Sequence, residues 1–585
     1  MIKKLFPINL HNLLFYFLLF LPLLHFWGAG RMYIKPIFLI TVSLTAILFF
    51  NKAKLLFPNI WTSLVIQLLI LFAFSKFYFN WEIQIIPYVY LLALFLFYKI
   101  AVFFLSSNKS SHKTISIIRI YILLISIEIG LFMFSEKITF LKFYPNESIF
   151  SILLATHLLF IFPHLKRYSE RFAKTKKLQN TLIICYFLLC YTLLFYTKGR
   201  AGILGFTIAN IALNYGYLKS KIGYWKGIII VLCLLLVLFN YKSNSSSGRI
   251  LIYKVIATQL EPNEIITGIG YSKFKVKYNL LQAKYFSDKS IDSSEALLAS
   301  NTTYMFNDSL QLIIEIGLIG LIILCFLIIK LIILLKRNYN SLEERPILNG
   351  AYLSVVCIVI SSLFSYPFQI TGILLHFLFC IAIIVHSNPL EKTFKRTILA
   401  QKSNLIIAGT ALLSSTFSLL FFGLESFKFY IKLNEAIKYS NLGFRKKAIQ
   451  TYHKISNNSI EDSDVLYNYA DELSKVNKID SALIVLHQSS YYLNNDKSAL
   501  LMGNLLEAKR MFSEAEKNYK EAIFMNPKLF INRASLFKFY YETKQYKKAQ
   551  YWGNSILNMP IKVHSQAIID VKNETKKLML EIKTK

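Results

Sequence analysis

The chain has 585 residues, 55% of them hydrophobic and 15% aromatic, and a mean hydropathy of +0.46. This is too apolar for an ordinary soluble or disordered protein of that size and reads as a polytopic membrane protein. The formal net charge of +34 would suit a nucleic-acid binder in a soluble chain. Here the lysines and arginines gather in short loops between apolar runs, where they set topology, so no nucleic-acid partner is expected.

Taken in order, apolar runs long enough to cross the hydrocarbon core fall near 13–29, 35–51, 60–79, 84–105, 115–134, 147–163, 181–197, 201–218, 226–240, 310–335, 350–365, 367–386 and 403–423. That makes thirteen spans, and because the eighth and eleventh are short the expected count is 11–13. Lys3 and Lys4 followed by the run Leu13 to Trp27 imitate a signal peptide, but further spans follow at once and the run reads as a retained first helix. The six cysteines all lie in apolar runs, and the ten histidines show neither HExxH nor cluster spacing. No disulfide, metal site or cofactor is expected.

Basic residues sort the loops. Lys3/Lys4, Lys52/Lys54, Lys109/Lys113/Arg119, the cluster from Lys166 to Lys177, Lys219/Lys221/Lys226, Lys336/Arg337 and the cluster from Lys392 to Lys402 fall on alternate loops. By the positive-inside rule that side is the cytoplasm. The turn Tyr196 to Arg200, the long polar segment 241–309 and everything after residue 423 then lie on the outer side. Segment 241–309 holds eight basic and six acidic residues, a mixed composition that suits a folded extracytoplasmic loop.

After the last span the sequence becomes charged and helix-forming, and it repeats. Ala448/Tyr452, Ala482/Leu486, Ala515/Tyr519 and, more loosely, Ala549/Gly553 recur at spacings of 34, 33 and 34, the period of a tetratricopeptide array of antiparallel helix pairs. The expected fold class is all-α: a transmembrane helix bundle in 1–240 and 310–425, one large extracytoplasmic loop in 241–309, and an α-solenoid in 426–585.

Three short motifs carry chemistry. The first is Tyr196-Thr197-Lys198-Gly199-Arg200-Ala201-Gly202, the second Ser247-Gly248-Arg249. The third runs from Phe306-Asn307-Asp308 through Glu315 to Gly317-Leu318-Ile319-Gly320 as the chain re-enters the bilayer. An arginine at a helix boundary ordinarily snorkels to headgroups. Two arginines on the side of the long loop can also contact phosphate oxygens, since such guanidinium contacts are bidentate and permanently charged. Lys198 and Lys254 add less directional charge. Asp308 reads equally as a first-turn acid that complements the helix dipole and as a base, and Glu315 as a partly buried acid in a span. Gly317 and Gly320 suit close helix packing, and Gly268-Ile269-Gly270 is weak evidence for phosphate binding.

The order, spacing and sidedness of these motifs resemble the O-antigen ligase and O-antigen polymerase superfamily of membrane glycosyltransferases. The resemblance implies transfer of a glycan from an undecaprenyl-diphosphate carrier to an acceptor hydroxyl on lipid A-core, a growing polysaccharide or a protein, at the outer face of the bacterial inner membrane. It gives Arg200 and Arg249, assisted by Lys198 and Lys254, the diphosphate, and aligns Asn307 with a family position. The family's histidine falls on Phe306, which cannot accept a proton, so Asp308 or Glu315 is left as the base, without a metal. Within the superfamily, ligase, polymerase and protein O-glycosyltransferase stay open; a lipid-linked sugar transporter is the alternative outside it. The repeat array implies a possible protein partner, alongside membrane lipid.

Overall fold

A computed structural model describes residues 10–21, 30–49, 85–106, 111–135, 147–173, 175–213, 243–289, 293–338, 342, 345–387, 402–456, 462–561 and 564–584. The expected spans near 60–79 and 226–240 lie outside the described residues. Among those residues every regular element is helical. In chain order these are α1 (Leu10–Phe20), α2 (Gly30–Phe49), α3 (Ile85–Ser106), α4 (Ser111–Ser135), α5 (Glu147–Phe172), α6 (Lys176–Tyr196), α7 (Arg200–Leu213), α8 (Ser243–Gln259), α9 (Pro262–Thr267), α10 (Phe274–Ser287) and α11 (Asp308–Asn338). Then come α12 (Pro346–Ser362), a 3-10 turn at Pro367–Gln369, α13 (Thr371–His386), α14 (Lys402–Asn441), α15 (Arg445–Ser456), α16 (Ser463–Lys475), α17 (Ile479–Ser490), α18 (Asp496–Ala508), α19 (Phe512–Met525), α20 (Phe530–Glu542), α21 (Tyr546–Asn558) and α22 (Gln566–Lys583).

Three of the described helices are long and apolar enough to cross a membrane: Ser148–Phe172, Lys176–Tyr196 and Asp308–Lys336. Five shorter apolar helices lie at Tyr33–Ile47, Val89–Leu105, Arg200–Ala212, Pro346–Ser362 and Thr371–His386. Contacts divide the chain into two units. One comprises Met1–Tyr241, Phe306–Leu312 and Leu321–Tyr430; the other comprises Lys242–Met305, Ile313–Gly320 and Ile431–Lys585.

In the first unit α5 is the central helix. Its apolar window is 83% buried, against 11% for α6 and 6% for α11. The outward residues of α6 and α11, such as Leu188 and Ile322, are more than half exposed, which is stable against lipid tails and not against water. Helix α5 packs on α7 and α12, and polar side chains fasten the crossings without leaving donors idle in an apolar interior. Ser354 Oγ donates to the Thr156 carbonyl at 2.9 Å and Ser361 Oγ to the Ala201 carbonyl at 3.0 Å.

In the second unit the C-terminal helices pack as successive pairs, α16 with α17, α18 with α19, and α20 with α21. Ala482, Ala515 and Ala549 are each fully buried on the second helix of a pair, and Ala448 is fully buried on α15, which packs on α16; a larger side chain at these positions would part the helices. The turns between paired helices repeat as well. Gly443, Asn477, Arg510 and Lys544 all take positive φ, between 59° and 77°, and are spaced 34, 33 and 34 residues apart.

The same unit contains the described part of the long loop, and α10 lies against α19. Asn279 and Gln282 of α10 are buried; their amides donate to the Asn494 and Met525 carbonyls at 2.7 and 2.5 Å. Asn494 returns a bond to the Val276 carbonyl at 3.0 Å. Asp496 is a buried hub that accepts from Asn301, from Asn526 at 3.1 Å and from Asn532 at 3.2 Å.

Candidate active site

The turn Thr197-Lys198-Gly199 leads into Arg200 at the first position of α7. Buried Thr197 closes the end of α6 by donating to the Leu194 carbonyl at 2.6 Å, and Lys198 takes φ 54° with its side chain exposed. The turn is pinned to α5, where Ser151 Oγ donates to the Gly199 carbonyl at 2.7 Å. A Cβ on Gly202 would sit 2.1 Å from that same Oγ and 2.5 Å from the Ser151 backbone. Small residues after Arg200 therefore allow α7 to approach α5, and Arg200 is left half-buried at the helix mouth.

The re-entry motif begins with strain. Phe306, at the position where the resemblance expects histidine, has φ 59°, uncommon for a bulky residue. Its ring stands edge-on to Tyr366 at 5.3 Å. Asn307 is the N-cap of α11, its Oδ1 accepting from the Leu310 N–H at 3.0 Å. Asp308, 7% exposed, accepts from the Phe368 N–H at 2.9 Å in the 3-10 turn. Ser148 and Ser365 hydroxyls meet at 3.4 Å. These bonds bring the starts of α5, α7, α11 and α13 and the end of α12 to one end of the first unit. Lys198, Arg200, Asn307 and Asp308 share that end, where four helix N-termini add positive potential.

Glu315 has a different setting, in the second unit. Its carboxylate accepts from the Ser272 N–H at 2.9 Å and the Phe274 N–H at 3.4 Å, and so caps the start of α10. Just beyond it α11 breaks. Gly317 has φ 65° and ψ −147°, a region essentially reserved for glycine. The expected use of Gly317 in helix packing is thus replaced by a backbone crossing. The N–H groups of Ile269 and Gly270 donate to the Ile314 and Glu315 carbonyls at 3.1 and 2.9 Å. A Cβ on Gly317 would lie 2.2 Å from the Ile266 carbonyl oxygen, and one on Gly268 2.4 Å from that of Glu315. Gly268 and Gly270 serve this crossing, which accounts for the Gly-x-Gly without any phosphate.

Arg249 lies half-buried in the second turn of α8, which starts at Ser243. Tertiary packing of Leu251, Ile252 and Val255 overrides the poor helix propensity of the serines ahead of it. Lys254 is ion-paired with Glu295, which also accepts from the Tyr285 hydroxyl at 2.7 Å. Its hydrogen bond to Glu295 raises the Lys254 pKa and lowers that of Glu295. The Lys254 charge is thus spent inside the loop.

One cluster has no counterpart in the expectations. Glu128 of α4, His157 of α5 and His376 of α13 are buried together inside the first unit. Glu128 as the lone acid of its span was the available signal.

A search of curated proteins finds no match to the chain. Residues 185–325 match the family model described as O-Antigen ligase. That segment includes Lys198, Arg200, Arg249, Lys254, Asn307, Asp308 and Glu315, and with the apolar helices around it the match supports a membrane protein of the O-antigen ligase superfamily, whose members are glycosyltransferase-like ligases and polymerases.

Proposed function

We propose that this chain transfers a glycan from an undecaprenyl-diphosphate carrier to an acceptor hydroxyl at the outer face of the inner membrane. The observation that carries the proposal is the coincidence of the O-antigen ligase match with all three motifs. Arg200 binds the diphosphate and stabilises the charge that develops on it as the anomeric carbon–oxygen bond breaks, and Arg249 is the second candidate for that role. The acceptor oxygen attacks that carbon from the opposite face, with inversion, and Asp308 takes its proton. Asp308 is favoured over Glu315 because Glu315 is spent on backbone N–H groups as a helix cap, while Asp308 shares an end of its unit with Arg200. No step needs a metal.

The loop and the C-terminal helices lie on the extracytoplasmic side in this proposal, as the alternation of basic loops requires. The C-terminal helices form a tetratricopeptide array, supported by the 33- and 34-residue recurrence of buried alanines and left-handed turns. A glycan or protein acceptor, or a further protein partner, would meet the enzyme on that side.

The test is glycan transfer in membranes supplied with lipid-linked donor, at matched expression. Arg200→Ala, Arg249→Ala and Asp308→Asn are expected to lose at least 100-fold in rate, in the range of about 10²–10⁴ typical of removing an acid–base group or an oxyanion donor. Glu315→Gln keeps an acceptor oxygen and is expected to retain transfer. Full activity in the first three variants would sink the proposal, and a dead but folded Glu315→Gln would move the base to Glu315.

A further inference from the structure

His157 lies nine residues along α5 from Ser148, about 13 Å down the helix axis at 1.5 Å per residue. It is 1% exposed and faces Glu128, which is fully buried, with Nδ1 at 3.0 and 3.1 Å from the two carboxylate oxygens. The His376 ring stands edge-on to His157 at 4.8 Å. Tyr121 and His376 Nδ1 are 2.7 Å apart, and His376 Nε2 lies 3.6 Å from Cys380 Sγ. Both ring nitrogens of His376 are thus met by a polar neighbour, Tyr121 on one side and Cys380 on the other. Phe160 and Phe379 pack on Tyr121 and complete an apolar wall.

Of the titratable groups around the pair, helix α4 contributes Tyr121, α13 contributes His376 and Cys380, and α12 contributes buried Cys357. On α3, which packs against α13, are Tyr98 and Lys99, the latter's ammonium over the Phe95 ring at 5.4 Å. Among the described residues, the helices packed around the pair also carry Arg119 on α4, His164 on α5, and Tyr186 and Cys190 on α6, with the Tyr186 hydroxyl on the Leu158 carbonyl. Among the described residues Glu128 and His157 are each other's nearest charge partner.

Three protonation states are available to the pair. Carboxylate with neutral imidazole leaves a net negative charge in the bundle, and carboxylic acid with imidazolium leaves a net positive one. Only the state with one proton is neutral, and burial penalises the other two heavily. A pair of apolar side chains would fill the same space without that cost, so an acid facing a histidine inside membrane helices is a functional arrangement by default. Glu128, His157 and His376 all fall outside the matched residues 185–325, so the family assignment does not account for them.

We propose that Glu128 and His157 form a membrane-embedded proton-binding site that holds a single proton between Glu128 Oε and His157 Nδ1, walled by His376 and Tyr121. The proton is the ligand; it leaves or arrives only together with a change in the charge of the bundle interior. The site is independent of the transfer proposal.

The test uses the full chain in lipid nanodiscs, labelled with nitrogen-15 at histidine, at a pH about two units above the ordinary histidine pKa of about 6.5. Nitrogen NMR reads the charge of His157, assigned by the signal lost in His157→Gln, and infrared spectroscopy reads protonated carboxyl, assigned by the band lost in Glu128→Gln. Either an imidazolium at His157 with Glu128 ionised, or a protonated Glu128 with neutral His157, is the expected result. In the first case the imidazolium signal is lost in Glu128→Gln. Neutral His157 beside ionised Glu128, or both groups protonated, would overturn the proposal. Should Glu128→Gln fail to fold, Glu128→Asp keeps the acid and shifts its band, which makes the same assignment.

Discussion

Replacing Asp496 by alanine removes the acceptor of three side-chain amides that are drawn together from the loop and from two C-terminal helix boundaries. Asn526 and Asn532 are 6% and 1% exposed, so water cannot replace the carboxylate, although Asn532 keeps a bond to the Ala522 carbonyl at 3.0 Å. Asn301 is only half-buried and is partly re-solvated. At about 1.5–3 kcal/mol for each hydrogen bond to a charged group, the Asn301 bond alone holds the loop by about 1.5–3 kcal/mol, and the three bonds of the hub together amount to about 4.5–9 kcal/mol. Since about 1.4 kcal/mol is a factor of ten, loop amides from 274 to 305 should exchange about 10- to 100-fold faster in Asp496→Ala. Hydrogen–deuterium exchange of the full chain reads this directly. Faster exchange confined to 496–532, with 274–305 unchanged, would show that Asp496 serves only the C-terminal helices and would refute the reasoning.

Two further perturbations follow from geometry. Gly317→Ala places a Cβ 2.2 Å from a carbonyl oxygen in a glycine-only conformation, so the crossing must open at a cost of at least about 1–3 kcal/mol in backbone strain; faster exchange at Ile269 and Gly270, whose N–H groups it frees, checks this. Lys254→Met should move the Glu295 pKa toward its ordinary value, since the Lys254 hydrogen bond is the largest of the contacts that lower it, ahead of the Tyr285 hydroxyl. A carboxylate with a depressed pKa stabilises above its unfolded pKa of about 4.3 and loses that contribution as pH falls through the folded value. The stability deficit of Lys254→Met should accordingly be present at neutral pH and vanish in acid, and a deficit that persists unchanged below both values would argue against the ion pair.

Some of this was legible in the sequence because it is written locally. The apolar runs at 84–105 and 147–163, the arginine after Gly199 and the recurrence of small residues in the C-terminal helices each depend on neighbours within a few turns, and periodicity reads such relations. The break at Gly317 was not legible. A glycine in an apolar run looks the same whether it packs a helix or bends one, and the deciding partner, Ile266, is a loop residue 51 positions away. Asn279 and Gln282 look like the wet face of an amphipathic helix; their partners near 494 and 525 are more than 200 residues on. Glu128, His157 and His376 belong to three helices and have no common spacing. Asp308 could be read as a first-turn acid, but its bond to Phe368 could not.

The sequence distance between α10 and its seat also has a consequence for biosynthesis. The bonds from Asn279 and Gln282 close across 215 and 243 residues. At a synthesis rate of about 5–20 residues per second, the ribosome needs roughly 10–50 seconds to deliver the second partner after the first. During that interval the loop helix has emerged without the surface that buries its two amides, and the membrane segments after it have still to be inserted. The loop therefore acquires its final form among the last parts of the molecule, and a nascent chain that stalls before residue 494 carries its ligase-family segment in an unfinished state.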